Sequence, residues 1–411
     1  KNLNLNKFNS IPVSNLSPEN IFSNNNELFF EKTIQMDYSQ VYHHLQFEFG
    51  GKIINRKNES DYLYQSFDIN GSVIPMIEDP SNNFKYDQSI YAGYASMNLN
   101  WKRTFLRMGS RMEKTSMAAN FISENTLAKQ EYFNVIPNIS FGFPIKNAGN
   151  ISMSWNQRLE RPGIFYLNPF VYVIDSRTIE YGNPNLNPAL SNQVSLQYSM
   201  FHKSTSFFLS LYESFARNGI QRITTLKDSV THISYDNIGS QSSAGVQGTL
   251  NMLAFKRLSF GLSGSINHTR YSAIAGTSPI SGFYYSYAAN AAIRFNHSLR
   301  FNASTGFTSG RVNAQGKSSG FANSTLTINK DFGENKKFSI NLSCQNPWTS
   351  SRTTLSDIRN AAFILQRENI MNVRRLNLTF NYRFGQYNGK IARKRKSIQN
   401  DDLLNGDKSS D

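Results

Sequence analysis

The chain has a single cysteine, Cys344, among 411 residues, so no disulfide can form within it. It has no long hydrophobic run. Nothing approaches the roughly 18 apolar residues of a membrane-crossing helix, and mean hydropathy is −0.46. A transmembrane helix is thereby excluded. A transmembrane barrel is not, because its strands need only about 9–11 residues with every second one apolar. No signal peptide opens the chain, since Lys1 begins a polar, Asn-rich segment. The expectation is that a signal was removed or that the N-terminal part is absent. Histidine is scarce at 6 residues, and no His–Cys cluster has metal-ligand spacing. His43 and His44 are adjacent on a predicted strand, so they point to opposite faces and cannot share one metal. His202 and His297 fall in predicted turns. His268, near the outer end of its strand, is the better ligand contact. Neither a metal nor any other cofactor is expected. The many serines make chance Ser–His–acid sets unavoidable, so no enzyme activity is read from them. Net charge is +15, but the basic residues are scattered over alternating strands. The only dense run is Arg393–Lys396, beside the last strand. Nucleic acid is not an expected partner.

Aromatic residues are abundant at 13 %, with 31 Phe and 20 Tyr, and the dominant pattern has period two. Tyr91, Gly93, Ala95, Met97, Leu99 and Trp101 oppose Ala92, Tyr94, Ser96, Asn98 and Asn100. The same alternation runs through Val135–Phe143, Ile151–Arg158, Leu258–Asn267, Phe338–Gln345 and Leu376–Phe384. The polar faces are mostly Ser, Asn, Gly and Thr. A soluble sandwich would carry more Lys and Glu there, whereas small uncharged residues suit a wet lumen with the apolar face toward lipid. Trp101, Trp155, Tyr91 and Phe384 fit an aromatic girdle at the membrane interfaces.

Tight connections, near Ser39-Gln40, Trp101–Arg103, His202–Ser204, Lys256-Arg257 and Asn296–Ser298, alternate with mostly longer ones. The longer ones include Arg56–Lys85, Met117–Lys129, Lys227–Val230, Gly310–Gln315 and Pro347–Val373. Short periplasmic turns and long extracellular loops alternate in this way in outer-membrane barrels. The fold class is therefore all-β: a transmembrane antiparallel up-and-down barrel over residues 1–384. About fifteen strands are expected, from Leu28–Asp37 and Val41–Asn55 to Gly316–Asn329, Phe338–Asn346 and Arg374–Phe384. Single-chain bacterial barrels have even strand numbers, so an odd count suggests that the first strands are absent. Residues 385–411 turn from basic to acidic without periodicity and read as a disordered periplasmic tail.

One long segment, Gln157–Leu190, is no plain strand. It carries Pro162, Pro169, Pro184 and Pro188, which forbid a helix interior or a central strand. It is also rich in Phe, Tyr, Ile and Leu, so it reads as a packed outer loop between the strand ending at Arg158 and the one beginning at Gln193. Its elements are Arg158-Leu159-Glu160-Arg161-Pro162, Leu167-Asn168-Pro169-Phe170 and Gly182-Asn183-Pro184-Asn185-Leu186-Asn187-Pro188. With strands on both sides, these elements make the chain resemble, over nearly its whole length, the TonB-dependent-receptor-like outer-membrane β-barrel family of Bacteroidota. One departure is Ala189, where the family usually has Glu.

The resemblance implies a complete barrel of about 22 strands, of which this is the C-terminal part. It also implies an N-terminal plug domain of the same protein, engagement of TonB, and uptake of a nutrient through the plugged lumen. Outer-membrane lipid is the surrounding partner, and a surface lipoprotein is a further one. Arg158, Arg161, Pro162, Asn168, Pro169, Gly182, Asn183, Pro184 and Pro188 are expected to be structural. Tyr166, Tyr172, Asp175, Arg177, Glu180 and Tyr181 are the ligand-facing candidates, because an aromatic and charged outer loop can grip a ligand. Ser60–Asn83, with Tyr62, Tyr64, Phe67, Asp68, Glu78 and Asp79, is a second such segment. Two rival readings stand beside the transporter. One is a non-transporting scaffold or surface-binding barrel, which the lack of a plug upstream would favour. The other is a soluble glycan-binding β protein, which a need for detergent extraction would exclude.

Overall fold

In the computed structural model the described residues are 20–67, 71–74, 82–146, 148–175, 177–255, 257–272, 278–295, 298–333, 336–359, 363–384 and 403–404. The main sheet has 19 strands, four of them pieces of two to four residues, which leaves fifteen long ones. These are β1 Asn20–Tyr42, β2 Leu45–Phe67, β3 Asn82–Trp101, β4 Thr104–Phe121, β5 Thr126–Ile145, β6 Gly149–Pro162, β7 Ala189–His202 and β8 Thr205–Lys227. They continue as β9 Val230–Ala254, β10 Leu258–Tyr271, β11 Ile280–Arg294, β12 Leu299–Thr308, β13 Phe321–Phe332, β14 Phe338–Gln345 and β15 Arg375–Tyr382. Each pairs antiparallel with the next, so the wall is one up-and-down meander. Among the described residues β1 pairs only with β2, and β15 only with β14. The sheet is thus a curved partial barrel.

The two faces divide as the period-two pattern requires. On β3, Phe84, Tyr86, Gln88 and Ile90 are buried and face inward, while Tyr91 and Trp101 are exposed on the outside. On β5 the outward Phe133, Val135, Ile139, Phe141 and Phe143 are all exposed. Apolar side chains bare on the convex face of a sheet are what lipid, and not water, stabilises.

The inner-end turns depart from the sequence reading at one place. The first turn is His43-His44, with Tyr42 paired to Leu45, and not Ser39-Gln40. The two histidines therefore sit in a turn and not on a strand. His43 lies in the left-handed region at φ 55°, as do Lys102 and Lys203 at the equivalent turns. No Gly or Asn marks these positions, so turn chemistry does not reveal them. His202 closes β7 beside its turn, whereas His297 and Arg393–Lys396 lie outside the described residues.

The outer connections differ more. β8 and β9 have 23 and 25 residues and are joined by the two-residue turn Asp228-Ser229, with Lys227 paired to Val230. Likewise β4 and β5 are joined by Ile122–Asn125 alone. The expected long loops are largely strand continued past the membrane. Gly316–Ser318 does not begin β13. It joins Val312–Asn313, Ser351–Arg359 and Ile364–Asn372 in a separate four-stranded sheet above the mouth, so Pro347–Val373 is mostly a hairpin. The arm is fastened to the wall by Gln315, whose Oε1 accepts from the Thr224 N–H at 2.6 Å and whose Nε2 donates to the Thr224 carbonyl at 2.9 Å. Gln315→Ala strands both backbone groups, at a cost of about 1–3 kcal/mol. Faster amide exchange at Gly316–Ser318 with unchanged exchange in β14 is the expected result.

Candidate functional site

The site is built where β6 leaves the wall. β5 and β6 pair only from Asn138↔Asn156 to Ile145↔Gly149. Pairing stops at Pro137, which has no N–H to contribute to a ladder. Beyond Asn156, β6 keeps β7 as its one long-strand partner among the described residues, up to Ala189↔Glu160, and leans into the lumen. Leu159 and Arg161 have the outward parity of Met153 and Trp155, yet they end buried. Arg161, 2 % exposed, meets Glu113, 4 % exposed, on the inner face of β4. Its guanidinium also lies 3.4 Å from the Thr115 hydroxyl, and Arg111 holds Glu113 from the other side.

After Pro162 the chain makes one helical turn, Ile164–Leu167 (α1), and runs back through the lumen mouth. Leu167 and Leu186 are fully buried among Phe84, Tyr86, Met117, Ala119, Phe121, Ala128 and Tyr235. These wall residues come from β3, β4, β5 and β9, so the loop forms a hydrophobic core inside the barrel's outer end. Two passes of the loop cross at Gly182. Its N–H donates to the Asn168 carbonyl at 2.7 Å, and the Asn183 N–H to the Tyr166 carbonyl at 2.7 Å.

The Asn-Pro elements are folded by their own side chains. Asn168 Oδ1 accepts from Phe170 N–H at 3.1 Å, and Asn183 Oδ1 from Asn185 N–H at 3.0 Å. Both are Asx turns, in which a short side chain imitates backbone. Asn183 Nδ2 reaches the Tyr235 carbonyl at 3.0 Å, and Gln130 Nε2 reaches the Leu186 carbonyl at 2.7 Å. Asn237 holds the Asn187 backbone with both ends of its amide. Pro162 is buried, and Pro169, Pro184 and Pro188 are half-buried. Arg158 is exposed.

The ligand-facing candidates separate into two sets. Tyr166 and Glu180 turn inward together. Tyr166 meets the Tyr235 ring edge-on at 4.7 Å, and the Tyr235 hydroxyl donates to Glu180 at 2.7 Å. Burial first, then the Glu180 carboxylate, pushes the Tyr235 phenol well above its ordinary range, so it stays a donor. Arg222 approaches Glu180 at 3.4 Å. Tyr181 is tied through its N–H to the Ile233 carbonyl, and its ring meets His232. Tyr172, 60 % exposed, and Arg177 face the solvent above. Asp175 closes the short strand Tyr172–Asp175, and its side chain lies outside the described residues. In the second segment, Ser60–Phe67 is simply more of β2, with the Tyr62 ring 6.3 Å from Phe170. Phe67 is half-buried. Asp68, Glu78, Asp79 and the side chain of Tyr64 lie outside the described residues. Of the tail, Leu403–Leu404 are described, and they run parallel beside Arg161–Pro162.

Sequence reasoning missed Glu113, Tyr235, Asn237 and Gln130. Glu113 carried a usable signal, as the one carboxylate on the inward face of its strand, since a buried charge requires a partner.

A wall of paired strands with a bare apolar exterior and a polar, loop-filled lumen defines an integral outer-membrane β-barrel. The outer membrane protein beta-barrel family matches residues 1–382, and the chain belongs to that family. A search of curated proteins finds no match. Among solved structures the chain is similar to the ferric yersiniabactin uptake receptor FyuA from Yersinia pestis, with TM-score 0.60, 11 % identity, 89 % of this chain and 56 % of that one. It is also similar to the copper transporter OprC, with TM-score 0.65, 10 % identity, 90 % of this chain and 59 % of that one. A third is the ferric citrate transporter FecA, with TM-score 0.62, 13 % identity, 90 % and 56 %. The chain thus spans less than two thirds of each of these proteins' length.

Proposed function

We propose that this chain is the wall and mouth of a TonB-dependent outer-membrane receptor that takes up a small nutrient. The observation that carries the reading is the packed loop across the mouth, which leaves Phe165, Tyr172 and Arg177 exposed above a sealed hydrophobic core. Aromatic and cationic groups on a rigid plate suit an anionic or chelated ligand. The uptake of ferric yersiniabactin, ferric citrate and copper by structurally similar barrels supports testing metal chelates first. A plug domain of the same protein, TonB and a surface lipoprotein belong to the same proposal.

The test is uptake of iron-55 citrate and copper-64 by cells with and without the full-length protein. Uptake that requires the protein and collapses with a proton uncoupler is expected. Uptake indifferent to the protein for every chelate tried would move the reading to a surface-binding barrel. That second reading has its own support in the strand Ile364–Asn372, which stands above the mouth with Ile364 and Ile370 exposed.

A further inference from the structure

We propose that the inner rim of the barrel is a docking surface for anionic phospholipid, with the headgroup phosphates set against the Lys and Arg of the inner turns. These turns carry charge of one sign. The turn between β3 and β4 holds Lys102 and Arg103, and the one between β5 and β6 holds Lys146. Lys203 follows β7, Arg257 precedes β10, and Lys336 and Lys337 precede β14. All are exposed, and none makes an ion pair among the described residues. The one described carboxylate in or beside these turns, Asp331, is 7 % exposed and already faces Arg300 at 3.4 Å. A rim of like charges repels itself and calls for counterions.

The outer ends of the same strands mix the signs. Lys57 lies 3.8 Å from Glu59, and Lys114 lies 3.9 Å from Glu131. Asp228 follows Lys227 directly in the turn after β8. The uncompensated positive charge therefore belongs to one end of the barrel.

The neighbours of the rim cations fix their depth. Tyr42, Trp101, Ile145, Phe295 and Phe332 continue the outward parity of β1, β3, β5, β11 and β13 to the turns, and all are exposed. Aromatic residues at the edge of an apolar band sit among the headgroups. Lys102 Nζ lies 6.0 Å over the Trp101 ring, and Lys330 Nζ 5.9 Å over that of Phe332. The amines thus stand level with the girdle, where phosphates are, and not beyond it, where an acidic protein or a periplasmic polymer would meet the barrel. Successive inner turns stand two strands apart, roughly 10 Å. Charges so spaced suit a row of singly charged headgroups, with one or two cations to each, better than one compact ligand. The inference rests on the barrel class alone, so failure of the uptake reading leaves it standing.

The test reconstitutes the full-length protein in vesicles of equal parts palmitoyl-oleoyl phosphatidylglycerol and phosphatidylcholine. Detergent extraction and mass spectrometry then give the ratio of the two lipids that copurify. The wild type should enrich phosphatidylglycerol roughly fivefold, and the enrichment should vanish when extraction is done in about 0.5 M salt. A rim variant with Lys102→Gln, Arg103→Gln, Lys203→Gln, Arg257→Gln, Lys336→Gln and Lys337→Gln should bring the ratio to about one, while keeping heat-modifiable gel mobility. An outer-end variant with Lys57→Gln, Lys114→Gln, Lys129→Gln, Arg217→Gln, Lys227→Gln and Arg270→Gln should keep the wild-type ratio. If the rim variant fails to fold, the salt dependence of the wild type and the ratio in the outer-end variant decide. A wild-type ratio near one, or enrichment that survives salt, would overturn the proposal. So would wild-type enrichment in a folded rim variant, or loss of enrichment in the outer-end variant.

Discussion

Arg161→Ala is expected to free the mouth loop while leaving the wall folded. The Arg161 side chain is the hinge pin between the inward-leaning end of β6 and the inner face of β4, and its partner Glu113 is equally buried. Removing one member of such a pair leaves a charge without its counterion, at a cost of about 3–5 kcal/mol. Arg111 remains beside Glu113, so the lower end applies. That cost falls on the loop and not on the barrel, because β4 keeps all its ladder bonds to β3 and β5, whereas the end of β6 is held by β7 alone of the long strands. At about 1.4 kcal/mol per factor of ten, protection of the Gly182 and Asn183 amides should fall roughly a hundredfold. A protease should then cut between residues 163 and 188. The double variant Arg161→Leu, Glu113→Leu should recover most of the protection, since an apolar pair costs nothing to bury. Equal loss in the single and double variants would show that shape, and not charge pairing, closes the mouth.

The contrast between wall and loop explains what could be read from the chain alone. Each wall strand announces itself, since a period of two repeats over eight or more residues and each strand pairs with its neighbour in sequence. All fifteen long strands were legible for that reason. Their outer ends were not. Arg56, Asn58, Ser60 and Gln88 look like loop composition, yet they line the inside of β2 and β3, buried against one another. Polar residues inside a barrel obey no rule of hydrophobic alternation, so the pattern stops where the lipid stops and the strand does not. Gln157–Leu190 was recognisable as packed and structural from its prolines and aromatics. Its placement within the lumen was not, because that depends on Pro137 ending the β5–β6 ladder well upstream in the chain. The Glu113–Arg161 pair joins residues 48 apart, and nothing in either local stretch points to the other. Tyr166 and Glu180 were grouped correctly with the loop, but their partner Tyr235 comes from β9, far along the sequence. What pattern supplies is therefore the wall, and what it omits is the chemistry across the lumen.

Gly182→Ala should be at least as damaging as the loss of the clamp, although the change adds one methyl group. The reason is space and not backbone conformation, since Gly182 has no positive φ. A Cβ there would stand 2.6 Å from the Asn168 carbonyl oxygen, 2.7 Å from its nitrogen and 2.7 Å from the Tyr166 carbonyl oxygen. All three are backbone atoms, so no rotamer relieves the clash. The two passes of the loop must separate, which breaks the Gly182–Asn168 and Asn183–Tyr166 hydrogen bonds and lifts Leu167 and Leu186 from the core they complete. Two hydrogen bonds at about 1 kcal/mol each and two leucines at about 1.5–3 kcal/mol each put full separation at about 5–8 kcal/mol. Part of that is recovered if the strands slide and do not part. Gly71 supplies the control. It sits at φ 81°, and a Cβ added there would meet no atom within 4 Å, so Gly71→Ala carries conformational strain alone, about 1 kcal/mol. Amide exchange should rise throughout 164–188 in Gly182→Ala and stay unchanged there in Gly71→Ala. If Gly182→Ala kept wild-type protection, the crossing at Gly182 would not be what holds the loop in the lumen. The Arg161–Glu113 clamp would then have to carry the closed mouth by itself.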